Sequence, residues 1–335
     1  MTRTRARTDW QALRDEVESA LRACEGFPAS VQIDGKLNRL GVGLSHQNYW
    51  FRIKADGPLP DTSDTAYVLR KLGTEPVGAS YDEAVARLGR EAMTLRALAS
   101  RKFDFSVPRF VCFVRGPEGS ATGFVETGLP GAALDYFKKD PGKQPFVVET
   151  IARIGSAVHR VPLGSFGFLP RQQDSSTHVL ARLGAFSSEF MAHDPDAAVV
   201  ARWVRDHLPQ HRLAVLLHGD LLPQNILWDW GTDEMGVVDW EFAMVGDAAY
   251  DLAIVTRGHG KLFGSPNGLQ QLVDAYGRAD GAPIEVADVV NHELLLVLRW
   301  LEESVHAERE ERREGHPPAY WRNQIRAILR RAKSL

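Results

Sequence analysis

The chain has 335 residues and a formal net charge of −3, with 44% hydrophobic and 25% charged residues. It contains no run of about 18 apolar residues, and its basic N-terminal stretch leads into no apolar region, so we expect neither a membrane partner nor a secretory signal. The only cysteines are Cys24 and Cys112, which argues against a disulfide framework or a zinc site and predicts a cytoplasmic location.

The charges are unevenly distributed along the chain. Residues 151–300 hold 11 Lys and Arg against 18 Asp and Glu. A nucleic-acid-binding protein concentrates positive charge around its working site, so no nucleic-acid partner is expected. The acidic segment is compatible with a metal ion or a cationic small-molecule substrate, and equally with a solvated acidic surface.

The first third of the chain has the pattern of a small β-rich lobe. Apolar residues at helical spacing predict a helix over 9–24, and a second amphipathic helix is predicted over 82–100. Short alternating or β-branched segments predict strands: KLNRLGVG, NYWFRIKA, AYVLRKL, PRFVCFVR and TGFVET. These segments predict a sheet of about five strands with one helix inserted after the third.

After LPGAALDYF the sequence changes to helical patterns, interrupted by strand-like segments only within 214–241. Helices are predicted near 145–160, 178–191, 195–208, 266–279, 284–313 and 317–334. The sequence therefore predicts an α+β fold of two lobes, a small antiparallel-sheet N-lobe (1–127, with an N-terminal helix) and a larger, mainly helical C-lobe (128–335). A cleft between two such lobes is the default binding site.

The most informative stretch is HGDLLPQNIL, followed by VVDWEFAMVGDAAYDLA. Phosphoryl transfer from ATP needs a carboxylate that orients the attacking hydroxyl, and oxygen ligands for Mg²⁺. Asp220, Asn225 and Asp239 provide these groups in the order and spacing found in protein kinases. Each residue alone could belong to an ordinary Asx-rich turn, and the kinase interpretation depends on the three together.

These motifs resemble the aminoglycoside phosphotransferase and choline kinase family of small-molecule kinases, over roughly residues 35–300. The resemblance implies a protein-kinase-like fold, ATP and Mg²⁺ as cofactors, Asp220 as the catalytic base, and Asn225 and Asp239 as metal ligands. His218 is expected to orient the loop. Asp247 is expected to cap the following helix, and Asp251 to be buried and to bind the catalytic loop.

The N-lobe carries candidate nucleotide-binding residues. Gly41, Gly43 and Ser45 lie between two predicted strands, where backbone amides can approach phosphates, although an ordinary glycine hairpin has the same pattern. In a kinase-like lobe a cation on the third strand holds the phosphates and a glutamate on the helix holds the cation. Arg70 and Glu91 are the candidates, and a surface Arg–Glu pair is the alternative. Lys71 should point to the opposite face.

GFVETGLPGAAL has the pattern of the hinge between the lobes, where the backbone reads adenine. Alignment of the Pro-Gly pair in this stretch with the Pro-Gly pair of the resembled family's hinge places the backbone acceptor near Thr127 and the donor near Leu129. Glu126 is then the adjacent residue at the back of the nucleotide pocket, and a polar residue there is unusual.

The sequence leaves the acceptor open. We expect an ATP- and Mg²⁺-dependent phosphotransferase that acts on a hydroxyl of a small molecule, and both cationic and neutral acceptors remain open. A choline- or ethanolamine-type kinase of the same fold is the alternative, ahead of a protein kinase or a non-catalytic nucleotide-binding protein. His292 and Glu293 are candidate substrate contacts, and the aromatic residues of the C-lobe could form a cage for a quaternary ammonium group.

Overall fold

The computed structural model describes residues 9–40, 46–60, 65–73, 80–116, 119–136, 140, 142–258, 262–310 and 315–333. The elements in chain order are α1 (Trp10–Arg22), β1 (Gln32–Leu40), β2 (His46–Lys54), β3 (Tyr67–Leu72), α2 (Tyr81–Leu98), β4 (Phe110–Arg115), β5 (Ala121–Thr127), β6 (Ala132–Ala133), α3 (Gln144–His159), α4 (Ser175–Gly184), α5 (Ser188–His193), α6 (Pro195–Asp206), β7 (Val215–Leu217), β8 (Ile226–Asp229), β9 (Glu234–Val237), β10 (Met244–Gly246), α7 (Ala249–Thr256), α8 (Gly268–Arg278), α9 (Val286–Arg309) and α10 (Pro318–Ala332). None of the described helices is long and apolar enough to cross a membrane.

The chain divides into two compact units. Unit 1 contains residues 1–131 and 229–241, and unit 2 contains residues 132–228 and 242–335. The first segment of unit 1 ends at residue 131, whereas the N-lobe was predicted to end at 127, and a segment about a hundred residues further along the chain also belongs to unit 1. That segment carries Asp239.

Unit 1 is built on a five-stranded antiparallel sheet with the order β1-β2-β3-β5-β4. The apolar face of α1 packs into one side, where a core cluster excludes water. This cluster includes Leu13, Val17, Leu21, Ile33, Tyr49, Phe51 and Leu69. Helix α2 contacts β3, β4 and β5. Its N-cap Ser80 accepts a hydrogen bond from the Glu83 amide at 3.2 Å, which satisfies a donor of the first turn.

Unit 2 is mainly helical, as predicted, with α9 at its centre. Helix α9 contacts α4, α6, α7, α8 and α10, and its buried side includes Val289, Val290, Leu294, Leu298 and Leu301. Short strands β7 and β10 pair antiparallel beside these helices. Because β7 ends at Leu217, this pair sets the position of the polar loop that follows.

The single helix expected over 178–191 is two helices in the structure. Helix α4 ends at Gly184, and Ser187 starts α5 by accepting a hydrogen bond from the Phe190 amide at 3.3 Å. Asp194 then caps α6, with Pro195 at its first position. These capping residues interrupt an apolar pattern that by itself resembles one continuous helix.

Candidate active site

The loop after β7 is shaped by Gly219. This glycine has φ +82°, and a Cβ atom at this position would lie 2.0 Å from the carbonyl oxygen of Phe242. Any other side chain would therefore displace the backbone of the loop. The HGD sequence uses glycine because only glycine fits this turn.

The buried residue Asp251 stabilises the same loop. Its buried carboxylate accepts the amide of His218 at 2.8 Å and the amide of Gly219 at 2.9 Å, and Nε2 of His159 lies 3.1 Å away. Burial by itself would raise the pKa of Asp251, but its hydrogen bond and charge interaction with His159, together with the loop contacts, keep that pKa below its ordinary value. The predicted support of the loop by Asp251 is confirmed.

Asp220 and Asn225 are in direct contact. Nδ2 of Asn225 donates to the backbone oxygen of Asp220 at 2.8 Å and to its Oδ2 at 3.0 Å. The Asp220 amide donates to Nδ1 of His218 at 3.2 Å. The amide nitrogen of Asn225 is therefore directed to Asp220, and Oδ1 remains the acceptor atom of this side chain. His218 is fully buried, in agreement with the expected orienting role.

Sequence reasoning missed Arg257. Its Nη2 lies 3.3 Å from Oδ1 of Asp220, and its side chain is 41% exposed. Arg257 follows the last turn of α7 in a left-handed conformation, with φ +45°. The only sequence signal was a cation at the end of a helix, six residues after Asp251, and such a signal does not indicate its partner.

Asp247 supports α7 and binds α9. Its Oδ1 accepts the Ala249 amide at 3.3 Å, although the N-cap residue of α7 is Ala248, one position after the predicted Asp247. Its carboxylate also contacts Arg212 at 3.2 Å and Nε2 of His292 at 3.0 Å. Burial alone would raise the pKa of Asp247, yet the hydrogen bond and charge interaction with His292, aided by Arg212, lower it to about 2.

His292 and Glu293 are not exposed to a substrate, contrary to expectation. Both side chains are fully buried. His292 joins Asp247 to Arg182, and Glu293 binds Arg331 of α10. Their place on the inner side of α9 explains the difference, since the apolar pattern around them continues through both positions.

Unit 1 brings together three predicted nucleotide-binding residues and one predicted metal ligand. Nη2 of Arg70 lies 2.9 Å from Oε1 of Glu91 and 2.5 Å from Oδ1 of Asp239. Burial opposes the charge on Arg70, but the carboxylates of Glu91, Asp239 and Glu126 raise its pKa well above the ordinary value. Lys71 points the other way, to Glu16 of α1, as strand alternation predicts.

Glu126 is buried beside this cluster. Burial raises its pKa to about 7, which Arg70 opposes and Asp239 reinforces. Strand β5 pairs with β3 through Glu126 and Val68, which places the carboxyl group within the influence of Arg70. A carboxyl group here is thus a titratable group near neutral pH.

The residues predicted to form the hinge follow directly in the chain. Thr127 is held on both sides by Arg109, whose amide donates to the Thr127 Oγ1 and whose carbonyl accepts the Thr127 amide, each at 2.9 Å. The Gly128 amide donates to Ala66 at 2.7 Å. Within the described residues, the Leu129 amide has no hydrogen-bond acceptor, so a donor remains at the position expected to read adenine.

Asp239 has a left-handed backbone, with φ +71°, a conformation that costs energy in a residue other than glycine. Trp240 stabilises the turn, because its Nε1 donates to the Val237 carbonyl at 3.1 Å and its ring is buried. Strained backbone of this kind is common at functional sites. Among the described residues, no group of three or more His, Cys, Asp or Glu side chains forms a metal cluster.

Gly41, Gly43 and Ser45 lie outside the described residues. The aromatic residues of unit 2 do meet in part: the rings of Trp300 and Trp321 are 4.9 Å apart, and Tyr320 lies edge-on to Trp321.

Comparison with known proteins agrees with the motifs. A sequence model of the phosphotransferase enzyme family matches residues 36–289. Viomycin phosphotransferase of Streptomyces vinaceus is 28% identical over 251 residues, which cover 61% of this chain and 81% of that protein. A macrolide 2′-phosphotransferase structure from Brachybacterium faecium has a TM-score of 0.62 at 19% identity and covers 96% of this chain and 97% of that one.

A further solved structure is a ternary complex of a thermostable aminoglycoside phosphotransferase mutant with AMP-PNP and hygromycin B. Its TM-score is 0.60 at 17% identity, and the match covers 91% of this chain and 96% of that one. At these identities the structural likeness shows a shared fold. It confirms the expected α+β, protein-kinase-like fold class.

Proposed function

The chain belongs to the phosphotransferase enzyme family, and we propose that it transfers the γ-phosphate of ATP to a hydroxyl group of a small molecule. The observation that carries this proposal is the loop at Gly219, in which Asp220 is hydrogen-bonded to Asn225. The loop is fixed by a glycine that cannot be replaced without moving the backbone and by the buried carboxylate of Asp251. Such preorganisation is typical of a site that positions reacting groups.

Asp220 is the proposed catalytic base. Its carboxylate orients the acceptor hydroxyl and takes its proton as the acceptor oxygen attacks the γ-phosphorus. The new bond joins that oxygen to phosphorus, and the bond that breaks joins the γ-phosphorus to the bridging oxygen, which leaves with ADP. The side chain of Asp220 is 14% exposed, which allows this contact.

Asn225 and Asp239 are the proposed Mg²⁺ ligands. Both present oxygen atoms, which Mg²⁺ prefers, and the orientation of Asn225 toward Asp220 keeps its Oδ1 for this purpose. A bound Mg²⁺ would neutralise charge on the phosphates of ATP. The left-handed turn at Asp239 and its contact with Arg70 fix the direction of its carboxylate.

Arg70 is proposed to hold the phosphates of ATP, with Glu91 keeping the guanidinium in place. An arginine offers a planar fork of donors to phosphate, and Nε of Arg70 is buried without a partner in the described part of the chain, so the two carboxylates do not exhaust its donors. The Thr127 carbonyl and the Leu129 amide are proposed to bind adenine, with Glu126 behind them. Gly41, Gly43 and Ser45 remain proposed phosphate contacts.

The acceptor is proposed to be a small-molecule alcohol. The acidic segment of the sequence is compatible with a cationic acceptor, but the carboxylates nearest the loop are already compensated. Asp251 accepts two backbone amides and contacts His159, and Asp247 is paired with Arg212 and His292. These two carboxylates therefore offer no attraction to a cation.

The test is phosphoryl transfer by the purified protein. Wild-type protein is incubated with ATP, Mg²⁺ and a panel of alcohols, and ADP release is measured together with the mass of the product. We expect ADP formation that depends on one class of acceptor, adds one phosphoryl group to it, and stops when EDTA removes Mg²⁺. Nucleotide binding without phosphorylation of any acceptor in the panel would contradict the proposal.

A further inference from the structure

Arg182, on α4, is a cation that has no carboxylate partner among the described residues. Its Nη1 donates to Nδ1 of His292 at 2.9 Å and to the His292 carbonyl at 3.1 Å. In the part of the chain that the structure describes, no Asp or Glu forms an ion pair with it. Burial lowers the pKa of Arg182, as expected of a guanidinium whose charge is not compensated.

The unused donors of Arg182 face accessible space. Its Nε and Nη2 make no hydrogen bond with a described residue, and neither belongs to the buried polar atoms that lack a partner. They are therefore reached by solvent, although most of the side chain is covered. His292 fixes the orientation of the guanidinium, so little conformational entropy remains to be lost when a ligand binds these two donors.

Tyr250 connects Arg182 to the catalytic loop. Cζ of Arg182 lies 4.7 Å from the centroid of the Tyr250 ring. Burial raises the pKa of Tyr250, and the charges of Arg182, Asp220 and Arg257 all act on its hydroxyl. Arg257 itself contacts Asp220 at 3.3 Å. Tyr250 also directly precedes Asp251, whose carboxylate holds the loop that carries Asp220.

Two described charged residues near Arg182, Arg299 and Asp247, are paired. Arg299 contacts Glu302 at 2.6 Å, and Asp247 is held by Arg212 and His292. Arg257 is likewise paired with Asp220, so among these described residues it is Arg182 whose positive charge has no carboxylate partner. A ligand with one negative charge would compensate the positive charge of Arg182.

We infer that Arg182, packed against Tyr250, recognises an anionic oxygen group, a carboxylate or a phosphate, on the acceptor alcohol that Asp220 activates. A guanidinium binds such a group through two parallel hydrogen bonds. An acceptor with an ammonium group at the same place would meet the like charge of Arg182 and be rejected. The inference rests on the proposed function, since it names the acceptor class of that site.

The experiment measures binding separately from turnover. Matched series of short alcohols are titrated calorimetrically into the ADP-bound protein: hydroxy acids, their neutral amides, amino alcohols and alcohol phosphomonoesters. The proteins are wild type, Arg182→Gln, Arg182→Lys and the control Arg202→Gln, which changes an exposed arginine of α6. Thermal unfolding of each variant verifies that it is folded.

We expect wild type to bind an anionic member roughly 10- to 100-fold more tightly than its amide, the effect of one charged hydrogen-bonded pair. Arg182→Gln should abolish this preference while leaving the affinity for the amide unchanged, Arg182→Lys should retain part of it, and Arg202→Gln all of it. The hydroxy acids and the phosphomonoesters show which anionic group is preferred.

Three results would overturn the inference: an amide or amine bound as tightly as the acid, equal losses for acid and amide in Arg182→Gln, or no binding of any anionic member. Phosphorylation of a neutral or cationic acceptor would reject the anion site and leave the phosphotransferase function standing. Selective anion binding without ADP release from ATP would support the anion site and reject the phosphotransferase function.

Discussion

Nη2 of Arg70 lies 2.5 Å from Oδ1 of Asp239, although 169 positions separate the two residues in the chain. The same nitrogen contacts Glu91 at 2.9 Å. Arg70 therefore joins strand β3, helix α2 and the turn after β9 through one buried guanidinium. The stability of this part of unit 1 and the proposed phosphate contact depend on the same side chain.

Replacement of Arg70 should affect both properties. Arg70→Met leaves Glu91 buried without its cation and is expected to lower the free energy of unfolding by about 3–5 kcal/mol. Arg70→Lys keeps the charge, and it should lower stability less while still weakening ATP binding. Urea unfolding and nucleotide titration measure the two effects.

Lys71 provides the matched control on the opposite face of the strand. Its pair with Glu16 is partly exposed, so Lys71→Met should change stability by no more than about 1 kcal/mol. Equal losses of unfolding free energy in Arg70→Met and Lys71→Met would show that the buried cluster contributes no more to stability than the partly exposed pair does.

Glu126 should make stability depend on pH between about 4.5 and 7. Its pKa is raised to about 7 by burial, so the folded state holds this proton more tightly than the unfolded state does. The resulting stabilisation is fully present below the unfolded pKa and is lost as the pH rises through the folded pKa, by about 3 kcal/mol in all.

Glu126→Gln removes that titration. The variant should equal wild type in stability near pH 4 and exceed it at pH 8, as measured by urea unfolding across this range. A constant difference at every pH would refute the assignment of a raised pKa to Glu126.

Gly219→Ala should be severely disruptive. The added Cβ would overlap the carbonyl oxygen of Phe242, and alanine disfavours φ +82°. We expect a loss of about 3 kcal/mol or more in stability, or a displaced loop with little phosphoryl transfer. Gly277→Ala in α8 is the control, since a Cβ atom added there would meet no other atom within 4 Å, and it should leave stability unchanged or slightly raised. Similar behaviour of the two variants would contradict a steric requirement for glycine at position 219.

Asp251→Asn should weaken the loop from its buried side. The carboxylate accepts the His218 and Gly219 amides, and its loss should cost about 3 kcal/mol at pH 7. Because the pKa of Asp251 is lowered on folding, its stabilisation is present above the unfolded value and is lost as the pH falls toward the folded one. Acid titration of unfolding should therefore bring wild type and variant together, and the exposed Asp274→Asn provides the control.

The sequence predicted those parts of the site whose residues lie close together in the chain, within one short motif. HGDLLPQN singled out Asp220 and Asn225 as polar residues of one loop, and GDAAYDL indicated that Asp251 supports the loop. The sequence did not indicate that Asn225 or Arg257 contacts Asp220, or that Arg182 has no carboxylate partner among the described residues. These relationships depend on how α4, α7 and α9 pack, and a helical pattern does not specify which charged residue meets which.

The same limit applies to unit 1. Strand alternation correctly placed Arg70 and Lys71 on opposite faces. The burial of Glu126 beside Arg70 required the pairing of β3 with β5, which lie more than fifty residues apart. The sequence did not predict the break between α4 and α5. Ser187 caps a helix only where the backbone leaves the helical conformation, and the apolar pattern does not show where that happens.

The most direct test of the proposed mechanism is the phosphoryl-transfer rate of Asp220→Asn. With the best acceptor of the wild-type panel, kcat should fall by about 1,000-fold or more, because proton acceptance and orientation are both lost. The affinity for AMP-PNP should stay within about threefold of wild type, since Asp220 is proposed to contact the acceptor and not the nucleotide. A variant that keeps wild-type turnover would contradict the assignment of Asp220 and with it the proposed mechanism.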